Sequence, residues 1–152
     1  MKEIFLDVGL CSAVTGLSIN QLHAIHDIMM INKGGMAEQI VGQLLRTINP
    51  PYVEPILFYW QREEKNANAE IDYVIQHGNI VMPVEVKAGT TGSLKSLHIF
   101  MGLKKLAKAI RINSNLPSKT PIVVKNQLGE TIHYELLSLP FYLVGQLHRL
   151  IG

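Results

Sequence analysis

Residues 69–87 contain two runs, Ala69-Glu70-Ile71-Asp72-Tyr73-Val74-Ile75 and Val84-Glu85-Val86-Lys87. Both are rich in the branched and aromatic residues of β-strands, yet they put charge where an apolar sheet has none. Between them, His77-Gly78-Asn79-Ile80 supplies a two-residue hairpin loop. The loop fixes the pairing of the strands. With Gly78-Asn79 at the tip, His77 faces Ile80, Asp72 lies opposite Glu85, and Glu70 lies opposite Lys87. Side chains alternate across a strand. Glu70, Asp72 and Val74 therefore share one face, and Ile71, Tyr73 and Ile75 the other. In the second strand Glu85 and Lys87 oppose Met82, Val84 and Val86. A loop one residue longer flips one strand and separates the carboxylates.

Two carboxylates facing each other across a ladder repel, and burying them is costly unless they are paired. A divalent cation between Asp72 and Glu85 resolves the conflict, and Mg²⁺ and Mn²⁺ are the ions that prefer such oxygen ligands. A proton held by one of the two also resolves it. Lys87 is spaced to stabilise an attacking hydroxide or the charge developing at a phosphorus centre. The cation would acidify water and polarise a phosphoryl oxygen. Glu38, at the edge of the apolar face of the next-upstream helix, is a third candidate metal ligand. It either reaches toward the sheet or flanks the core in solvent, where the helix dipole favours an acid in the first turn. The competing reading of the whole hairpin is a Glu70–Lys87 cross-strand ion pair, with Asp72 and Glu85 solvated on a polar sheet face.

The rest of the chain reads as an α/β frame around this hairpin. At 152 residues it is expected to be one domain (1–152). A chain of that size buries roughly 70% of its unfolded surface. A short strand, Ile4-Phe5-Leu6, and a helix with Ile19, Leu22, Ile25 and Met29 on one side make up residues 1–35. Asn32-Lys33-Gly34-Gly35 is expected to end that helix. The core, 36–112, opens with a helix from Met36 to Ile48, whose apolar face is Met36, Ala37, Ile40, Val41, Leu44, Leu45 and Ile48. It continues through a strand at Leu57-Phe58-Tyr59-Trp60 and the acidic hairpin. A second helix follows from Leu94 to about Ala109, with Ser93 as N-cap, and then a strand at Ile110-Arg111-Ile112. Residues 113–152 add a hairpin around Leu128-Gly129 and a last helix that Pro140 starts. The core order helix, strand, strand, strand, helix, strand predicts an α/β sandwich with a mixed sheet.

At Glu38, Asp72 and Glu85-Val86-Lys87 the chain resembles the PD-(D/E)XK nuclease-like superfamily. More narrowly, it resembles the DUF4143 domain found at the C-terminus of prokaryotic AAA+-type ATPases. The strings that carry this are Phe5-Leu6-Asp7-Val8-Gly9-Leu10, Met36-Ala37-Glu38-Gln39-Ile40-Val41, Ala69-Glu70-Ile71-Asp72-Tyr73-Val74, Pro83-Val84-Glu85-Val86-Lys87-Ala88-Gly89 and Ser138-Leu139-Pro140-Phe141-Tyr142-Leu143. The resemblance implies a restriction-endonuclease-like fold with Glu38, Asp72, Glu85 and Lys87 at the nuclease positions. It does not imply a reaction, because such folds also persist as inactive binding modules. The ATPase half of that architecture is expected to be absent. Gly89-Thr90-Thr91-Gly92-Ser93-Leu94-Lys95-Ser96 approaches a phosphate loop, but Leu94 stands where the second glycine is needed, so no ATP site is expected.

The formal charge of +2 does not by itself point to nucleic acid, so DNA contact must come from a local cluster. Lys95, His98, Lys104, Lys105 and Lys108 form a basic side of the second helix, opposite Ile99, Leu103, Leu106 and Ile110. That side is either a solvated face or a phosphate-backbone contact. His23 and His26 stand three apart, a zinc-compatible spacing with no third ligand apparent. Tyr59, Trp60 and Tyr73 are expected in the core rather than stacked on bases. The single cysteine, Cys11, excludes an internal disulfide and reads as a small buried apolar residue. With no spanning segment or leader evident, a cytoplasmic setting is expected. The functional expectation is a metal-dependent phosphodiesterase acting on DNA. The alternatives are a catalytically silent module that binds nucleic acid or a protein, and a domain that assembles with a partner ATPase.

Overall fold

The computed structural model describes residues 3–16, 33–63, 68–90, 92–126 and 129–151. The helix expected around residues 18–29, with His23 and His26, lies outside the described residues, as do Thr91 and Leu128.

Six strands form one mixed sheet: β1 Phe58–Arg62, β2 Ala69–His77, β3 Ile80–Val86, β4 Lys108–Asn113, β5 Ser118–Lys125 and β6 Thr131–Pro140. Their spatial order is β1-β2-β3-β4-β6-β5. The first three strands are antiparallel neighbours, β3–β4 and β4–β6 are parallel, and β5 runs antiparallel to β6. Helices α1 Val8–Val14, α2 Lys33–Leu45, α3 Lys95–Lys104 and α4 Leu147–Ile151 flank the sheet, and a 3₁₀ segment, Phe141–Gln146, leads into α4. The order α2-β1-β2-β3-α3-β4 is the core order expected from the sequence.

Both faces of the sheet are covered. Ala37, Val41 and Leu45 of α2 pack with Tyr73, Ile75, Met82, Val84, Ile110 and Ile112. Leu97, Phe100 and Met101 of α3 pack with Ile71, Ala109, Ile132, Tyr134 and Leu136. Consequently β3 is buried without a break from Met82 to Val86, as expected of a strand enclosed on two sides. Trp60 meets Phe100 edge-on at 5.0 Å, which places it in the core rather than on a base-stacking surface.

Three expectations are corrected. Ile4-Phe5-Leu6 is not a strand. Side chains of α2 satisfy its backbone instead: Gln39 Oε1 accepts from the Phe5 N–H (2.9 Å), Gln39 Nε2 donates to the Glu3 carbonyl (2.7 Å), and Gln43 Nε2 donates to the Phe5 carbonyl (3.2 Å). The chain then enters α1, which the sequence pattern does not announce, through Asp7, whose carboxylate caps the Leu10 N–H at 2.9 Å. Second, Lys33-Gly34-Gly35, expected to end a helix, lies within α2. Packing of the buried Met36, Ala37, Val41 and Leu45 outweighs a glycine penalty of about 1 kcal/mol per residue.

Third, α3 stops at Lys104, because Lys105 takes a left-handed conformation at φ 52. Leu106 and Ile110 therefore leave the helix, and the apolar face shifts to Leu97, Phe100 and Met101, leaving Leu103 52% exposed. No described helix is long and apolar enough to cross a membrane.

Candidate functional site

The acidic hairpin pairs as its loop dictates, up to a point. His77 faces Ile80, and the ladder continues to Tyr73 and Val84. Gly78, at φ +56, is the first central residue of the turn, the position where a two-residue hairpin of II′ type needs glycine. Beyond Tyr73–Val84 the strands part, so the expected direct pairings Asp72–Glu85 and Glu70–Lys87 do not form.

The cause is a β-bulge in β2. Across β1–β2, Phe58 pairs with Val74 and Trp60 with Ile71, so Asp72 and Tyr73 together oppose the single residue Tyr59. The bulge also breaks the expected alternation, sending Tyr73 and Ile75 to the α2 side and Ile71 to the α3 side. Asp72 Oδ2 then takes the Val86 N–H at 2.7 Å. A side-chain carboxylate thus replaces the missing ladder bond at the point of divergence.

Glu85 sits beside this break, on the α3 side and 5% exposed. Its Oε1 lies 2.7 Å from the Lys87 ammonium, which is 27% exposed. Its Oε2 is buried with no hydrogen-bond partner. Burial, reinforced by the charge of Asp72, pushes the Glu85 carboxyl up to about 7. Lys87 pulls it back down, and Glu38 adds a smaller upward push. Lys87 is therefore the ion-pair partner of Glu85, and its own N–H is fixed by the Ile112 carbonyl at 2.8 Å.

Glu38 is brought to this site by Tyr73. The Tyr73 hydroxyl donates to the Glu38 carbonyl at 2.7 Å, tying the first turns of α2 to the bulge. Burial first, then Glu38 and Asp72, hold that phenol well above its ordinary value, so it stays a donor. Gly42 makes the approach possible, since a Cβ there would lie 2.6 Å from both the Tyr73 hydroxyl and Ile4 Cδ1. Tyr73→Phe is expected to lower the unfolding free energy by about 1–2 kcal/mol, measured by urea denaturation.

Lys87 has a comparable constraint. A Cβ on Gly92 would meet Lys87 Cδ at 2.6 Å and Cγ at 3.0 Å, so the lysine stem lies against Gly92. The 89–93 loop is tied down by Asn115 Nδ2, which donates to the Thr90 carbonyl at 2.9 Å. Gly92→Ala is expected to push the ammonium off Glu85. Because Lys87 lowers the Glu85 pKa, its midpoint should then rise above about 7 in a ¹³C carboxyl titration. An unchanged midpoint would show that the stem tolerates the methyl group.

The structure thus draws Glu38, Asp72, Glu85 and Lys87 into one electrostatic neighbourhood. Among the described residues, no three His, Cys, Asp or Glu side chains are gathered as a group that could hold a metal ion. What is present is an orphaned, buried carboxylate oxygen beside a second carboxylate, a donor chemistry that suits a hard divalent cation.

The family model described as a domain of unknown function, DUF4143, matches residues 33–135. The chain belongs to the DUF4143 family. Neither the curated proteins nor the solved structures contain a match. The DUF4143 match includes every residue of the site, from Glu38 to Lys87, together with the basic candidates Lys95, His98, Lys105 and Lys108.

Those basic residues do not share one helical face. Lys95 opens α3 and is exposed. His98 is half-buried, with Nδ1 2.9 Å from the Tyr134 hydroxyl, and burial lowers its pKa. Lys105 is the left-handed cap of α3, and Lys108 begins β4, paired with Glu135 of β6. Lys108 stands three residues before Arg111 on β4, roughly 10 Å along the strand from the Glu85 row.

Three residues near the site of this DUF4143 chain are absent from the sequence-based candidates. Arg111 of β4 is the register partner of Glu85, and Ser138 of β6 is the next partner along. Arg111 Nε donates to Ser138 Oγ at 3.1 Å. Tyr134 feels both Arg111 and Glu85, and burial pushes its hydroxyl up to about 12. The one signal in the sequence is Arg111 itself, a lone cation between two isoleucines in a predicted strand.

Proposed function

We propose that this DUF4143 domain is a divalent-metal-dependent nuclease-like domain that hydrolyses phosphodiester bonds in DNA. The observation that carries the reading is Glu85: a buried carboxylate with one oxygen on Lys87 and the other unpartnered, beside Asp72, where β2 and β3 part. Strained electrostatics of this kind concentrate at functional sites. A restriction-endonuclease-like relationship is supported by the core order α2-β1-β2-β3-α3-β4 with the acidic pair on β2 and β3.

Asp72 and Glu85 would hold Mg²⁺ or Mn²⁺, with Glu38 as the outer acid. A bound cation would supply a Lewis acid at the phosphoryl oxygen and make water a stronger acid. The Lys87 ammonium, now 2.7 Å from Glu85 Oε1, would stabilise negative charge building on the phosphorus centre. The β2–β3 register ends at Tyr73–Val84, so Asp72 and Glu85 lie beyond the last paired rung rather than in a closed ladder.

The test is cleavage of plasmid and single-stranded DNA with Mg²⁺ or Mn²⁺. The wild type should cleave, and Lys87→Ala should lose at least about a hundredfold in rate, the scale of one electrostatic donor at such a centre. Lack of cleavage with either ion would leave the second reading, a silent module that binds nucleic acid or a partner such as an ATPase. That reading is favoured by the closed Lys87–Glu85 pair.

A further inference from the structure

We infer that Arg111 is a phosphate-binding residue that seats a substrate phosphodiester beside Glu85 and Lys87. Arg111 lies on β4 directly across from Glu85 and is half-buried. A half-buried guanidinium next to a buried carboxylate would ordinarily pair with it. Here Glu85 pairs instead with Lys87, at 2.7 Å. Among the described residues, its one hydrogen bond is from Nε to Ser138 Oγ, at 3.1 Å, and no carboxylate lies within ion-pair distance.

That single bond is directional. Ser138 is fully buried and sits on the next strand, so it fixes the plane of the guanidinium through Nε and leaves the two Nη groups to meet an oxyanion end-on. The location matches the chemistry. Glu85, Arg111 and Ser138 occupy consecutive rungs across the parallel strands β3, β4 and β6, near their carboxyl ends, where open α/β sheets bind ligands. Tyr134, which feels the charges of both Arg111 and Glu85, closes the same side and holds His98 Nδ1 at 2.9 Å.

The inference rests on the nuclease-like reading for its substrate class, a nucleic-acid phosphodiester, but its test does not need cleavage. The probe is a short thymidine oligonucleotide, bound in EDTA so that no divalent cation takes part. Arg111→Gln should weaken binding roughly tenfold or more and reduce the slope of log K against log salt by about 0.7, the loss of one phosphate contact on a single strand. Arg111→Lys keeps the charge but not the fork, and should recover only part of the affinity. In the wild type the Arg111 Nε resonance should shift as inorganic phosphate is added, a measurement that requires no variant to fold. Equal binding by wild type and Arg111→Gln, or an Nε resonance indifferent to phosphate, would overturn the assignment. Loss of binding in Arg111→Gln without metal-dependent cleavage in the wild type would retain the phosphate site and remove the hydrolytic reading.

Discussion

Replacing Glu85 with glutamine is expected to stabilise the metal-free protein at pH 8 while abolishing metal-dependent cleavage. The folded protein holds the Glu85 carboxyl at about 7, against an ordinary value of 4.5. Between those values the native state keeps a proton that the unfolded chain has released. Stability contributed by this group is therefore full below pH 4.5, declines as pH rises, and is lost above about 7. Each pH step of one between the two values is worth about 1.4 kcal/mol, so the full loss is about 3–4 kcal/mol, of which on the order of 2–3 kcal/mol falls between pH 5 and 8. Glutamine carries no such proton, so the two proteins should match near pH 5 and diverge by that amount at pH 8. His98 and His148, both lowered by burial, pull the opposite way up to their ordinary 6.5, but identically in the two proteins. Urea unfolding from pH 5 to 8 measures the difference. A parallel pH dependence in the two proteins would show that Glu85 is not held protonated by the fold. A gain in stability at the cost of function is the usual sign of a residue kept for its chemistry.

Asp72 separates structure from chemistry in a second way. Its Oδ2 accepts the N–H of Val86, a residue 6% exposed. Asp72→Ala leaves that donor buried without a partner and should cost about 1–3 kcal/mol. Asp72→Asn keeps an acceptor oxygen and should stay within about 1 kcal/mol of wild type, the net value of one neutral hydrogen bond. Both remove a charge that raises the Glu85 pKa, so Glu85 should titrate lower in each. Denaturant unfolding distinguishes them, and amide exchange at Val86 should quicken only in the alanine variant. Asp72→Asn is therefore the substitution to use when cleavage is assayed, since loss of activity in Asp72→Ala also follows from a loosened sheet. Equal stability of the two variants would contradict a structural role for the carboxylate.

Much of this site is legible from residue types and one turn. Gly78-Asn79 sets the β2–β3 register, and the pairs from His77–Ile80 to Tyr73–Val84 follow it. The bulge at Asp72-Tyr73 is not legible. It carries no glycine or proline, and Ile71, Tyr73 and Ile75 keep an unbroken period of two in the sequence. Only the competition between two helices for the two faces of β2 shifts Ile71 away from Tyr73. The rival Glu70–Lys87 pair draws on the same unbroken register and fails with it, since Lys87 turns to Glu85.

The significance of Arg111 depends on parallel pairing with β3, a contact across the intervening α3 that no local pattern encodes. The misphased apolar face of α3 has a similar origin. Lys105 adopts a left-handed conformation that glycine or asparagine usually marks, so the helical pattern runs on in the sequence past the point where the helix ends.

The most direct measurement is the ¹³C titration of the Glu85 side-chain carboxyl, with and without Mg²⁺. A midpoint near 7 is expected in the metal-free protein, falling by more than about one pH unit when Mg²⁺ is added, because a bound cation favours the charged carboxylate. A midpoint near the ordinary 4.5, or one near 7 that neither Mg²⁺ nor Mn²⁺ moves, would contradict a metal site built on Glu85.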